Sequence, residues 1–527
     1  MRLACLRLLL ASGLLLAFGC ADEAGPSPIA MRDPLGLTDV TQDLRLTVFP
    51  STVRSCETNG TLTPALPEDP ATELPDATVD RRFAVDALEQ EVVVEEGSYV
   101  IAVQGWGTDP VTMRENVLVT RGCANGTIEA GQERPIILTL QDVQGMGMCA
   151  DGILSPDEQC EMATGPFPCD AATCRTTEKV ANTTTTGTQD APAVAWSDGG
   201  RMVVAFQNGA TELRWVFLDQ NGDTITSPSA LALDAAIDEG ATLAGVQTSP
   251  EVAVSPARIA AVLQDLSTAT TEGGDALIRF FTTDRAPISS NVQLVPSPGE
   301  QRRPRIAMAN DGAALIVFGD SNSSSGATAA FVPAGATTPS TTFPIGTSGA
   351  TSPSVASNGS AFIVVWVEGG AVQAQRYDAA GSATDASPIA VSDTATPAVP
   401  SVALLADGRS FVAWGSGSGI RGRGVDATGA PGEANDLAGA GTRPRVAGAG
   451  GRFVTVWENA GSILARYTDG NGRLVDNREQ PRTDAAFPIG SGAAPDVAGG
   501  GTGSQTAAVI SWAGTDGNIA VRTIPLP

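Results

Sequence analysis

Short apolar runs recur along the C-terminal two-thirds of the chain, and a four-residue motif precedes each of them. The motif reads Pro-x-(Val/Ile)-Ala and occurs seven times, with its proline at Pro192, Pro250, Pro304, Pro353, Pro400, Pro444 and Pro495. Successive prolines are 44 to 58 residues apart. A period of this length with several short strands per unit is typical of β-propellers, whereas helical and leucine-rich repeats differ in length or structure.

Each unit predicts four strands. The anchor proline suits the first residue of an inner strand, where its missing N–H costs no ladder hydrogen bond. The second run is apolar at every position, as in Ala314–Phe318, which predicts a strand covered on both faces. This run usually ends in an aromatic residue, and we expect these side chains to form core rather than a platform for sugar stacking. They are Phe206, Phe318, Trp366, Trp414, Trp457 and Trp512, with Leu263 as the exception.

Four units continue with an alternating third strand and then the motif Asp-x-x-Gly, beginning at Asp219, Asp378, Asp426 and Asp469. The glycine supplies the positive φ that a hairpin turn needs. Asp219–Asp223 is also similar to the start of an EF-hand calcium loop, but Ala230 occupies the position of the distal glutamate. We therefore interpret the four motifs as turns and expect no metal site.

The last unit has room for only three strands after Pro495. The threonine-rich residues 177–188, which precede the first unit, are the candidate for the missing strand. Chain ends that share one sheet leave no exposed sheet edge. The sequence thus predicts a seven-bladed β-propeller over residues 177–527, closed by a strand from residues 177–188. Six or eight blades would follow if an irregular unit near Gly273 or Ser321 were divided differently.

Residues 39–145 show a different pattern of short β-type runs, among them Leu44–Phe49, Tyr99–Val103 and Ile136–Leu140. Alternation of apolar and polar positions with Gly, Pro and Asp between the runs predicts an antiparallel β-sandwich. Cys56 follows the first run and Cys123 precedes the last, so a disulfide between them would staple this domain. The predicted fold class is therefore all-β throughout.

The first residues indicate export. Arg2 and Arg7 precede the apolar run Leu8–Phe18, and this pattern suits a signal peptide over residues 1–19. The segment Leu16–Cys20 resembles a bacterial lipobox, and this resemblance implies cleavage before Cys20 and lipidation of Cys20. Ordinary cleavage after Ala17-Phe18-Gly19 is the alternative. Residues 20–38 read as a flexible tether, and the expected location is the outer membrane, lipid-anchored on the periplasmic or the cell-surface side.

Residues 146–176 contain four cysteines, namely Cys149, Cys160, Cys169 and Cys174. The segment Cys149–Glu161 resembles the Myxococcus-type cysteine-rich repeat of secreted proteins, and this resemblance implies a disulfide-held module in a myxobacterial-type exported lipoprotein. Zinc is the rival for four cysteines, but paired Cys-x-x-Cys knuckles are missing, and an exported chain favours disulfides. Three pairings remain open. With Cys56 and Cys123 the set of disulfide candidates is six, an even number.

Composition excludes several function classes. The chain has no histidine and its only lysine is Lys179, so His-dependent triads, His-ligated metals and Schiff-base chemistry have no residues to rest on. A formal net charge of −26 argues against nucleic acid as a partner, because phosphates repel such a surface. We expect no cofactor.

These patterns predict a non-enzymatic envelope lipoprotein whose propeller is a binding or display scaffold for a protein or a glycan, which would bind at the propeller end face. The alternative is a carboxylate-based polysaccharide hydrolase or lyase with its site in the propeller funnel, because carboxylates gather there in space rather than in sequence. A purely structural spacer is the third interpretation.

Overall fold

The computed structural model describes residues 3–10, 27–32, 41–56, 62–67, 72–84, 90–107, 117–128, 136–142, 169–170, 175–182, 187–197, 200–209, 212–225, 235–236, 247–266, 274–289, 292–294, 299–392, 396–417, 419–475, 486–501 and 506–526. All regular elements in these ranges are β-strands. The chain divides into two compact units, Met1–Gly165 with Cys169–Arg175, and Pro166–Pro168 with Thr176–Pro527.

The first unit is built from two larger sheets and two strand pairs. The larger sheets have the strand orders β10-β2-β1-β7 and β11-β9-β8-β3-β6, and the pairs are β4-β5 and β12-β13. Their bounds are Leu3–Leu10 (β1), Ser27–Arg32 (β2), Thr41–Pro50 (β3), Ser55–Cys56 (β4), Leu62–Thr63 (β5), Val79–Ala84 (β6), Gln90–Glu95 (β7), Gly97–Gly107 (β8), Val117–Ile128 (β9), Ile136–Thr139 (β10), Gln141–Asp142 (β11), Cys169–Asp170 (β12) and Arg175–Thr176 (β13).

Alternation along β3 and β8 builds the core of this unit. Leu44, Leu46 and Val48 of β3 are buried on one face and lie in one cluster with Val94 of β7 and Leu138 of β10. The cluster therefore joins residues of both larger sheets. The opposite face of β3 and β8 is covered by the loop that carries the β4-β5 pair.

The sheet that contains β1 bears on the predicted signal peptide. β1 pairs in parallel with β2 and antiparallel with β7. β1 lies within residues 1–19 and β2 within the predicted tether, so the sheet belongs to the uncleaved chain. Removal of residues 1–19 would take β1 from between its two neighbours.

In the part of the chain described, the second unit consists of five four-stranded sheets and one eight-stranded sheet. We describe the two halves of the eight-stranded sheet as the sixth and seventh sheets. The strands of the first four sheets are Gln189–Ser197 (β15), Arg201–Asn208 (β16), Glu212–Leu218 (β17) and Ala235–Ala236 (β18); Gln247–Val254 (β19), Ile259–Asp265 (β20), Asp275–Phe281 (β21) and Val292–Gln293 (β22); Gln301–Met308 (β23), Ala314–Asp320 (β24), Ala327–Val332 (β25) and Thr341–Pro344 (β26); Thr351–Ser357 (β27), Ala361–Glu368 (β28), Ala371–Asp378 (β29) and Ile389–Ala390 (β30).

The last three sheets contain the remaining strands. They are Ala398–Leu404 (β31), Ser410–Ser416 (β32), Gly419–Val425 (β33) and Pro431–Ala438 (β34); Thr442–Ala449 (β35), Arg452–Asn459 (β36), Ser462–Asp469 (β37) and Leu474–Val475 (β38); Phe487–Gly500 (β39), Ala507–Gly514 (β40), Ile519–Pro525 (β41) and Lys179–Val180 (β14). The sixth and seventh sheets are continuous, because the first part of β39 pairs with β37 and its second part pairs with β40.

Successive sheets pack face to face. The first strand of each sheet contacts the first strand of the next, and β39 contacts β15. A hydrophobic cluster fills each of these junctions, including one between the seventh sheet and the first. The second strands contribute side chains to the hydrophobic clusters on both of their faces. In β24, Ile316 packs against the second sheet, whereas Leu315 and Val317 pack against the fourth. This confirms the predicted burial on both faces.

The aromatic ends of the second runs are core residues, as predicted. Their exposed fraction is at most 2% at every one of the seven positions: Phe206, Leu263, Phe318, Trp366, Trp414, Trp457 and Trp512.

The anchor prolines differ from the prediction. They are not the first residues of their strands but lie in a β-bulge, as at Pro304, where the ladder skips from Arg302 to Arg305. A bulge suits proline for the same reason as a strand start does, because the residue at either position donates no ladder hydrogen bond and the missing N–H of proline costs nothing there. The residue before every anchor proline has a φ between 44° and 53°. Seven non-glycine residues thus adopt the left-handed region at equivalent positions.

The segment before the first unit pairs with the end of the chain. β14 lies antiparallel to β41, with Lys179 opposite Val521 and Val180 opposite Ala520. The Ala181 N–H donates to the Ile519 carbonyl at 2.8 Å. The Asn182 side chain accepts from the Ile519 N–H at 2.7 Å. The seventh sheet therefore contains strands from both ends of the second unit, as the sequence predicted for residues 177–188.

Candidate functional site

The variable position of the repeated motif carries a polar or charged residue in six of the seven repeats. We call this set the inner row. It consists of the residue that follows each anchor proline: Ala193, Glu251, Arg305, Ser354, Ser401, Arg445 and Asp496.

The bulge brings equivalent positions of neighbouring sheets into register. The Val446 N–H of the sixth sheet donates to Ser401 Oγ of the fifth sheet at 3.1 Å. In the same way, the Val194 N–H of the first sheet donates to Asp496 Oδ2 of the seventh sheet at 2.8 Å. In both cases the inner-row side chain of one sheet accepts a backbone N–H of the neighbouring sheet. The donor is the residue directly after that sheet's own inner-row member. The first strands of neighbouring sheets lie side by side.

Two ion pairs join members of the inner row. Arg305 Nη1 of the third sheet bonds to Glu251 Oε2 of the second sheet. Arg445 Nε lies 3.4 Å from Asp496 Oδ1 across the junction of the sixth and seventh sheets. The Asp496 side chain is only 8% exposed and that of Arg445 18%. These carboxylates are therefore largely engaged by arginine and, for Asp496, by a backbone donor.

The charges of non-adjacent sheets also interact. Burial and, to a smaller extent, the nearby positive charge of Arg445 lower the pKa of Arg305 to about 9, against the opposing effect of Asp496. Burial likewise lowers the pKa of Arg445, against the effect of Asp496. Because Arg305 belongs to the third sheet and Arg445 to the sixth, charges from both parts of the inner row lie within range of each other.

Arginine also occupies the left-handed position of the same two sheets. Arg303 and Arg443 precede the anchor prolines of the third and sixth sheets, and both side chains are exposed. Arg443 Nη1 lies 3.7 Å from Glu458 Oε2, and the neighbouring Arg302 pairs with Glu300 at 2.8 Å.

A separate carboxylate organises the loop after β26. Glu368 accepts the N–H of Thr347 at 2.7 Å, the N–H of Ser348 at 2.8 Å and the Nε1–H of Trp366 at 2.9 Å. Burial raises the pKa of Glu368, but these hydrogen bonds outweigh it and lower the pKa to about 2. The group is a fixed anion that holds a loop.

The predicted cysteine sites have different outcomes. Cys56 and Cys123 are joined by a disulfide with a Cα–Cα distance of 5.8 Å. Cys169 is also disulfide-bonded. The predicted lipidation site Cys20 and the cysteines Cys149, Cys160 and Cys174 lie outside the described residues, and the predictions for them stay predictions.

The Asp-x-x-Gly motifs form turns. Asp219 Oδ1 accepts the N–H groups of Asn221 at 2.8 Å and of Asp223 at 3.0 Å, and Gly222 has a φ of 79°. Asp378, Asp426 and Asp469 accept backbone donors at the same spacing. One carboxylate oxygen of each motif, Oδ1, thus accepts backbone hydrogen bonds within the turn. The described residues contain no group of three or more Asp, Glu, Cys or His side chains that suits a metal ion.

Sequence reasoning missed the inner row. The repeated motif gave its position, because the residue after each anchor proline was visible as the variable one. Its role was not visible, since the pairing of Arg305 with Glu251 and of Arg445 with Asp496 joins different repeats.

Comparisons with known proteins give structural neighbours only. No protein-family model matches the chain, and no curated protein sequence is significantly similar to it. The WD40 domain of coronin from Toxoplasma gondii is 11% identical with a TM-score of 0.43, over 67% of this chain and 87% of that one. An ulvan lyase that represents a family of polysaccharide lyases is 10% identical with a TM-score of 0.42, over 66% and 98%.

A third neighbour is the α-L-arabinanase of Penicillium chrysogenum in complex with arabinobiose. It is 13% identical with a TM-score of 0.38, over 66% of this chain and 98% of that one. At such identities and TM-scores these similarities carry no statement about the ligand or reaction of this chain. Among the described residues, no helix is long and apolar enough to cross a membrane.

Proposed function

We propose that the second unit is a closed seven-bladed β-propeller that serves as a non-enzymatic binding or display scaffold of the cell envelope. The seven packed junctions support closure, since one of them joins the seventh sheet to the first. The pairing of β14 with β41 supports it independently, because strands from both ends of the unit share one sheet. The propeller end face where the first strands begin would present loops to a protein or glycan.

The non-enzymatic part of the proposal rests on the ion pairs that the inner-row carboxylates form with arginines. A hydrolase of this type needs one carboxyl group that donates a proton and a second that acts as base or nucleophile. Glu251 and Asp496 are instead bound by Arg305 and Arg445, and Asp496 also accepts the Val194 N–H. These contacts suit side chains that hold neighbouring sheets together.

The proposed anchor is the lipid on Cys20, which would hold the protein at the outer membrane through the tether. The support is the lipobox-like sequence Leu16–Cys20 after an apolar run. A single acyl chain gives only weak membrane binding, so stable attachment requires the multiple chains of a bacterial lipoprotein.

Membrane fractionation of cells that express the full chain tests the anchor. We expect the wild-type protein in the membrane fraction and a Cys20→Ser variant in the soluble fraction. Cys5→Ser is the matched control, because Cys5 lies in the predicted signal peptide and should not affect attachment. Equal distribution of wild type and Cys20→Ser would contradict the proposal.

Photo-crosslinking in intact cells, combined with protease shaving, tests the scaffold function. We expect crosslinks from the end of the propeller where the first strands begin and few from the opposite end. Cleavage of an acidic polysaccharide by the purified protein, abolished in Glu251→Gln, would overturn the proposal in favour of a hydrolase or lyase.

A further inference from the structure

Arginine occurs on both sides of the anchor proline in two of the seven repeats. The third repeat reads Arg303-Pro304-Arg305 and the sixth reads Arg443-Pro444-Arg445. At the same two positions the other five repeats carry alanine, serine, valine or a carboxylate. In a chain with a formal net charge of −26, this concentration of positive charge on two first strands requires an explanation.

The four arginines differ in how far their charges are neutralised. Arg305 and Arg445 lie deeper and are paired with Glu251 and Asp496. Arg443 is 57% exposed and makes one long contact to Glu458. No ion pair of Arg303 is found among the described residues, and its side chain is exposed. The two outer guanidinium groups are thus the accessible ones.

The third and sixth sheets bring these groups to the same end of the molecule. At two of the junctions the residue after an inner-row member bonds to the inner-row side chain of the neighbouring sheet, so equivalent positions are in register there. Each first strand contacts the first strand of the next sheet, and β39 contacts β15, so the seven first strands surround one axis. Arg303 and Arg443 precede their anchor prolines at equivalent positions. They therefore lie around the end of this axis, which we call the opening.

The chemistry of the opening selects the kind of ligand. Guanidinium groups bind carboxylates through two parallel N–H···O bonds. Sugar binding commonly adds stacking on aromatic rings, but the residues on either side of the anchor prolines include no aromatic. The tryptophans at the ends of the second strands are buried. An acidic peptide fits this surface better than an acidic glycan does.

We propose that Arg303 and Arg443 bind the carboxylate side chains of an acidic peptide segment of a partner protein at the opening where the first strands begin. This inference rests on the proposed scaffold function and names the class of its ligand. Arg305 and Arg445 support the outer pair, since their ion pairs fix the two first strands against their neighbours.

Fluorescence anisotropy with fluorescein-labelled hexaglutamate and the full chain tests the proposal. We expect the Arg303→Gln/Arg443→Gln double variant to raise Kd by about tenfold or more, because two charge-assisted contacts are lost. Arg303→Gln alone should cause a smaller rise. Both side chains are exposed, so the thermal midpoint should stay near that of the wild type.

Arg409→Gln/Arg473→Gln is the matched control. It removes the same charge from the opposite end of the propeller, where Arg409 follows the hairpin after β31 and Arg473 follows β37. We expect a change in Kd of less than about twofold, since long-range charge effects are screened by physiological salt. Equal weakening by the two double variants would show a general charge effect and overturn the proposal.

Two further outcomes would also overturn it. One is the absence of hexaglutamate binding to the wild-type protein, and the other is tighter binding of tetragalacturonate than of hexaglutamate. Capture of a surface partner that does not depend on Arg303 or Arg443 would leave the scaffold function standing and remove only this inference. Polysaccharide cleavage would remove the scaffold function itself.

Discussion

Asp496 is the inner-row residue with the most complete set of contacts. Its carboxylate accepts the Val194 N–H and lies beside Arg445, so it joins three sheets. Replacement by asparagine keeps the shape of the side chain but leaves Arg445, which is only 18% exposed, without its negative partner. We expect Asp496→Asn to lower the free energy of unfolding of the second unit by about 2–3 kcal/mol.

Urea denaturation followed by tryptophan fluorescence measures this loss. Asp436→Asn is the control, because its side chain is 83% exposed and its pair with Arg421 should contribute less than about 1 kcal/mol. An equal effect of the two substitutions would contradict a special role for Asp496.

Glu368 makes stability depend on pH at the acid end. Its pKa is lowered from 4.5 to about 2 in the folded protein, so its contribution is complete above pH 4.5 and is lost as the pH falls towards 2. We expect Glu368→Gln to lower the urea midpoint at pH 7 and to flatten its dependence on pH between about 2 and 4.5.

The measurement is the difference between variant and wild type across this pH range. Glu433→Gln, at an exposed position of β34, is the matched control for loss of one negative charge and should leave the urea midpoint at pH 7 unchanged. Parallel curves for Glu368→Gln and the wild type would show that the carboxylate does not hold the loop after β26.

For individual residues, the sequence predicted which side chains are buried better than it predicted which side chains form ion pairs. Trp366 and Trp414 were assigned to the core because their positions recur after apolar runs. Arg305 and Glu251 lie in different repeats, 54 residues apart, and no local pattern indicates that they meet. Their contact depends on how two sheets pack, which the spacing of residues within one repeat does not determine.

The bulge at each anchor proline is the element that distinguishes these first strands. Val399 is the most unfavourable case, because a β-branched residue adopts a φ of 44° immediately before Pro400. Asparagine tolerates the left-handed region better than valine does. We expect Val399→Asn to raise the free energy of unfolding by about 0.5–1 kcal/mol.

Val402→Asn provides the contrast within the same strand. Val402 is buried, so a polar side chain there should lower the free energy of unfolding by about 2 kcal/mol or more. Destabilisation by Val399→Asn to the same extent would show that packing rather than backbone conformation governs position 399.

The short strand β14 is the second element with a testable role. Ala181→Pro removes the N–H that donates to the Ile519 carbonyl and should detach the segment from β41. We expect the thermal midpoint of the second unit to fall by about 5 °C. The reactivity of Lys179 towards an amine-specific reagent should rise, because its Nζ loses the 2.8 Å contact with Asp223.

Lys179→Arg is the control for the labelling, since it removes the only lysine side chain and keeps the charge. Unchanged labelling and an unchanged midpoint in Ala181→Pro would show that the pairing of β14 does not contribute to stability. The existence of this strand was predictable by counting strands in the last repeat. The bulge was not, because a proline at the start of a strand and a proline in a bulge give the same sequence pattern.

For the whole molecule, the division into two units predicts two separable unfolding transitions. The disulfide between Cys56 and Cys123 lies in the first unit and closes a segment of 67 residues. We expect a Cys56→Ala/Cys123→Ala variant to lose about 3–4 kcal/mol from the first transition and nothing from the second.

Differential scanning calorimetry resolves the two transitions. Substitution of both cysteines avoids a free thiol, and the Asp496→Asn variant should show the opposite pattern. A shift of both transitions in the cysteine variant would mean that the units do not unfold independently.

The all-β class was predictable from the sequence, because each unit repeats its short apolar runs around an anchor proline. The β1 strand was not, since Leu3–Leu10 has the composition of a signal peptide and its pairing with β7 involves residues about 90 positions later. Long-range pairings of this kind have no local sequence signature.

The single strand β39 has a consequence for motion. It ends the sixth sheet and begins the seventh without an intervening loop, so those two sheets cannot separate without breaking a continuous backbone ladder. In the described part of the chain the seventh and first sheets share no strand. They are joined by side chains, by the Val194–Asp496 bond, by one backbone bond from the Gln189 N–H to the Gly517 carbonyl and by the two-residue β14. Transient opening of the second unit should therefore begin at this seam, and hydrogen exchange should be fastest there among its packed junctions.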